Sequence, residues 1–77
     1  METKIKNVMV SLFEMPIEEI NNESSHDSID NWDSLTHMNL IVALEEEFNI
    51  EFDDIEITEM MNFKLIREII ANKLAIK

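Results

Sequence analysis

The chain has no glycine among its 77 residues and a single proline, Pro16. That one fact removes most β architectures, because hairpins and bulges call on glycine where the backbone passes through positive φ. Helices manage without it if another residue tolerates the left-handed position at their C-terminal ends, and asparagine is the usual substitute. Asn21, Asn49 and Asn62 stand at suitable boundaries. Cysteine is absent too, so no disulfide or thiolate metal site supports so small a core. The expectation is an all-α chain held by packing alone.

Apolar spacing divides the chain. Ile5, Val8, Met9, Leu12 and Phe13 fall on one helical face, which predicts a first helix over Glu2 to Glu14, ended by Pro16. A long connection from Pro16 to Trp32 follows, with one helical turn at Ile17 to Ile20. Ile17, Ile20, Ile29 and Trp32 are its expected anchors in the core, and a loop of this length in a small domain is usually functional. A second helix over Ser34 to Phe48 carries more apolar surface than one face needs. Leu40, Ile41, Leu44 and Phe48 make its core stripe, whereas Leu35, Met38 and Val42 make a second stripe read as a partner surface, continued by Glu45 and Glu46. Ile50-Glu51-Phe52 reads as an extended connector, and Asp54 to Met60 as a short helix with Ile57 and Met60 inward. Asn62 then caps a last helix, Phe63 to Ala75, which buries Phe63, Ile66, Ile69, Ile70 and Leu74. The predicted architecture is a four-helix bundle, with three long helices, one short helix and a long loop between helices one and two, in one domain over residues 1–77.

Charge narrows the partners. The formal net charge is −11, and no basic residue stands between Asn7 and Phe63. Such a field disfavours nucleic acid and anionic membranes, and it favours basic protein surfaces that associate quickly and in a salt-sensitive way. The opening Met1-Glu2-Thr3-Lys4 starts no signal peptide, and no apolar run is long enough to cross a bilayer. A cytoplasmic monomer is expected.

The chemistry concentrates where the polar loop becomes the second helix. Asp33 suits the N-cap position, its carboxylate taking up free backbone N–H groups. Ser34 then lies in the first turn with an exposed hydroxyl, at a helix end that favours phosphate. Read locally, the pair is better taken as a plain cap, since every helix needs one and modified serines are rare. His37 lies one turn beyond Ser34, but no third member and no glycine-rich oxyanion loop accompany it, so intrinsic catalysis is not expected and His37 reads as a helix-surface residue. His26, Asp27, Asp30 and Asp33 lack a diagnostic metal-ligand spacing, and no metal site is expected.

Taken together, Asp33-Ser34-Leu35 at a helix mouth, Leu44-Glu45-Glu46-Glu47-Phe48 at that helix's end, the long preceding loop and the acidic balance resemble the acyl carrier protein family over essentially the whole chain. The resemblance implies a carrier rather than an enzyme. In that family the serine matching Ser34 is esterified by the phosphate of 4′-phosphopantetheine, with Asp33 and Leu35 completing the motif. A phosphopantetheinyl transferase supplies the group from coenzyme A with magnesium. An acyl-loading ligase or transferase then charges the thiol, and acyl-processing enzymes with basic patches use the thioester in fatty acid or related lipid and polyketide-type biosynthesis. The implied partner surface comprises Leu35, Thr36, His37, Met38, Asn39, Val42, Glu45 and Glu46. The implied acyl-chain interior comprises Leu44, Phe52, Ile57 and Met60. This chain departs from the family pattern at Asn31, where glycine is usual and where asparagine tolerates a left-handed turn. It departs again at Thr36 and Asn39, where acids are usual, with His37 between them, and Trp32 is not the commonest neighbour of the aspartate. These departures suggest a specialised carrier. A D-alanyl or aminoacyl carrier loaded by an adenylating ligase, and an acidic adaptor that never receives the arm, are the alternatives.

Overall fold

The computed structural model describes residues 2–25 and 27–76, the side chain of Ile76 excepted. Four α-helices follow one another along the described chain: α1 (Glu2–Phe13), α2 (Ser34–Phe48), α3 (Asp54–Glu59) and α4 (Phe63–Ile76). A single 3-10 turn, Ile17–Glu19, interrupts the connection between α1 and α2. Among the described residues there is no strand, and one isolated antiparallel bridge pairs Ser25 with Asn62. The molecule is thus the helical bundle that its sequence predicts, with three long helices and one short one.

Each boundary has a local cause. Asn49 ends α2 in the left-handed conformation at φ 54°, standing in for the missing glycine. Asn62 opens α4 by accepting the Leu65 N–H at 2.8 Å. The end of α1 differs from expectation. It falls at Phe13, because Glu14 itself turns left-handed at φ 53°. Pro16 then leads into the 3-10 turn, where its fixed φ and missing N–H are tolerated. Asn31, expected to take a left-handed turn, does not have positive φ. Its side-chain amide instead donates to the Phe13 carbonyl at 2.8 Å, tying the end of the long loop to the end of α1.

The core is built from one stripe of each long helix. Ile5, Met9 and Phe13 of α1 meet Leu40, Ile41 and Leu44 of α2, and Phe63, Ile66 and Ile70 of α4 close the third side. Ile50 and Phe52 are buried around exposed Glu51, so the connector alternates as its sequence does. The long loop is pinned rather than free: Ile20, Ile29 and Trp32 are buried, while Ile17 is half-buried. Trp32 stacks on Phe13 with ring centroids 5.0 Å apart. That stack and the Asn31 bond fix where α2 begins, and so fix Ser34.

Candidate functional site

The site begins with a cap. Asp33 lies just outside α2 in extended conformation, and its Oδ1 accepts the Thr36 N–H at 2.8 Å. Hydrogen bonds from Thr36, its backbone N–H foremost, hold the Asp33 carboxyl below the usual carboxylate range. Ser34 is therefore the first residue of the helix, exposed to solvent, with its hydroxyl at the positive end of the macrodipole. An ester phosphate at that oxygen would lie at a helix end that favours negative charge.

Ser34 opens onto a cleft of about 600 Å³ between the start of α2 and α3. Trp32, His37, Met38, Ile57, Met60 and Met61 form most of its lining. Of the four residues expected to line an acyl-chain interior, Ile57 and Met60 border this cleft. Leu44 and Phe52 do not; they are packed in the main core. Trp32, Thr58 and Met61 were not singled out as lining residues from sequence, since the docking of α3 brings them there. The methionines Met38, Met60 and Met61 suit a wall that must adapt to more than one shape.

The expected partner surface divides. Leu35, Met38 and Val42 are 73%, 48% and 51% exposed, and Asn39 and Glu46 are exposed as well. Ile55 and Met61 add exposed apolar surface that the periodicity did not single out. Three residues assigned to that surface are half-buried instead. His37 is half-buried, with Nδ1 receiving the Trp32 indole N–H at 2.9 Å and Nε2 lying 3.0 Å from the Ile57 carbonyl. Glu45 is half-buried too, and its Oε2 accepts the Phe52 N–H at 3.0 Å. Thr36 is half-buried, its N–H bonded to Asp33. Among the described residues no group of three or more His, Asp or Glu is placed to hold a metal ion, and His26 of the candidate set lies outside them. No helix of the described residues is long and apolar enough to cross a membrane.

The site is thus a capped, exposed serine at a helix mouth beside an apolar cleft. Comparison with known proteins shows the family. The family model described as a phosphopantetheine attachment site matches residues 3–72. An acyl carrier protein of Nitratidesulfovibrio vulgaris is 32% identical over 72 residues, covering 94% of this chain and 95% of that protein. One from Buchnera aphidicola is 39% identical over 69 residues, covering 90% of this chain and 88% of that protein. The solution structure of a holo acyl carrier protein from Geobacter metallireducens superposes with a TM-score of 0.86 at 32% identity, covering 96% of this chain and 85% of that one. The chain belongs to the acyl carrier protein family. Its prosthetic group is covalently bound 4′-phosphopantetheine, and it is a carrier, not an enzyme. Family membership implies dealings with a phosphopantetheinyl transferase and with acyl-processing enzymes.

Proposed function

We propose that Ser34 is the residue that carries the arm, and that the chain delivers acyl intermediates as thioesters for fatty acid or related lipid and polyketide-type biosynthesis. The observation that carries this reading is the placement of Ser34: exposed, first in α2, and opening directly onto the cleft. When bound, the group supplies a flexible tether ending in a thiol. This chain's own part is to orient the attachment oxygen through the Asp33 cap and to offer apolar shelter beside it. It acts as a cytoplasmic monomer, and Leu35, Met38, Asn39, Val42 and Glu46 present the face that transferase, loading ligase or transferase, and processing enzymes read.

The test is the intact mass of the protein before and after incubation with coenzyme A, magnesium and a broad-specificity phosphopantetheinyl transferase, with the site mapped by fragmentation. One addition on Ser34 is expected, and none on Ser34→Ala, whose helical circular dichroism should stay nearly that of the wild type. Addition to the folded Ser34→Ala variant would move the site elsewhere. A thiol charged by an adenylating ligase with an amino acid would turn the reading to an aminoacyl carrier. A wild-type protein that takes no arm would be an acidic adaptor.

A further inference from the structure

α3 is six residues long, and a helix of that length does not hold together in water by itself. Its N-terminal end is closed locally by a capping box, Asp53 taking the Glu56 N–H and Glu56 taking the Asp53 N–H. Its C-terminal end has no basic residue in the last turn, and the final carbonyls of a helix lack intrahelical partners. The Met60 and Met61 N–H groups take up the Glu56 and Glu59 carbonyls. The Ile57 carbonyl lies 3.4 Å from the Met60 N–H but only 3.0 Å from His37 Nε2. A side chain of α2 therefore closes the end of α3.

The chemistry of the neighbours fixes the ring. An indole N–H only donates, so His37 Nδ1 accepts from Trp32. The neutral imidazole then carries its proton on Nε2 and donates it to Ile57. Trp32 is itself immobilised by its stack on Phe13. Among the described residues α3 contributes none that is fully buried, and its ties besides His37 include the half-buried Ile57, the buried Met60 that follows it, and the Glu56–Lys73 ion pair at 2.8 Å. His37 also lies three residues after Ser34, on the same side of α2, and Trp32, His37 and Ile57 all line the cleft.

We propose that His37 is a positioning residue: backed by Trp32, it docks α3 against α2, sets how far the cleft beside Ser34 opens, and so sets the shelter that a thioester-borne chain finds there. Only the last of these statements rests on the carrier reading.

Amide hydrogen exchange on the unmodified protein tests the docking. His37→Phe keeps a flat ring against Trp32 and removes both hydrogen bonds; His37→Gln retains an amide N–H near the position of Nε2. The Ile57 and Met60 amides, held by the Asp53 and Glu56 carbonyls, should exchange about fivefold faster or more in the Phe variant. Met9 and Ile70 in the long helices should keep their rates, and Gln should restore the α3 amides. Trp32→Phe preserves the stack on Phe13 but loses the indole donor; it should speed the same amides, and it carries the test if His37→Phe does not fold. Wild-type α3 exchange in the folded variants, acceleration spread evenly over all helices, or no rescue by Gln would overturn the proposal. The wild-type mass experiment judges the carrier reading separately. On protein that has taken the arm and an octanoyl group, hydroxylamine should cleave the thioester faster by a similar factor in the Phe variant and at the wild-type rate in the Gln variant. Equal cleavage in all three would overturn the shelter role.

Discussion

Asp33 caps the helix that Ser34 opens, and its electrostatics make that cap checkable. Its folded-state pKa is depressed, first by the Thr36 backbone N–H, so its contribution to stability is complete above the ordinary aspartate value, 3.8, and is lost as pH falls through the lower folded value. Wild type should therefore melt above Asp33→Ala by a margin that is level through neutral pH and shrinks only below that value. A margin that shrank between neutrality and pH 5, in melting curves taken across pH, would assign the effect to another group. Caps such as Asp33, Asn49 and Asn62 were legible because each acts on backbone within four residues of itself. His37 was not, because Ile57 is 20 residues away and meets it only once α3 has docked. The same is true of Asn31, whose partner Phe13 is 18 residues distant. The available hint was a tryptophan five residues before a histidine, in a chain whose short helix ends without a glycine.

At the scale of elements, α2 has three faces: one fills the core, one holds its neighbours and one is left exposed. The doubled apolar stripe was readable as periodicity, and Leu35, Met38 and Val42 are indeed left exposed. Which acid belongs to which face was not readable, since Glu45 and Glu46 are adjacent in sequence and only the course of the connector distinguishes them. Glu45 holds the Phe52 N–H, whereas Glu46 is exposed. Glu45→Lys should accordingly destabilise the fold by about 1 kcal/mol in chemical denaturation, through the lost charge-assisted bond. Glu46→Lys should stay within about 0.5 kcal/mol of wild type, as a surface change does, while slowing transfer to partner enzymes. Met38→Glu belongs with Glu46: transfer should fall and the melting temperature should hardly move. Equal destabilisation by Glu45→Lys and Glu46→Lys would show that the connector bond contributes nothing.

Across the whole molecule, charge and packing oppose each other. With a net charge of −11 on 77 residues, the compact state brings like charges together, and the cations offer limited relief. Arg67 pairs with Glu2 and Lys73 with Glu56, at sites still partly open to solvent, where such pairs add little. Lys6 and Arg67 also lie over the Phe63 ring, so their side chains are engaged at α4 rather than spread among the acids of the loop and α2. Repulsion among the remaining acids should therefore exceed attraction, and salt screens both. Raising sodium chloride from low ionic strength to 0.15 M, where the screening length falls to about 8 Å, should raise the melting temperature. Over the same range, transfer to a partner with a basic docking surface should slow, because the field that strains the fold is the field that steers the encounter. Measured in one salt series, melting temperature and transfer rate should move in opposite directions. A melting temperature that fell with salt would mean that the Arg67 and Lys73 pairs outweigh the repulsion, and that the acidity is compensated within the fold rather than held open for partners.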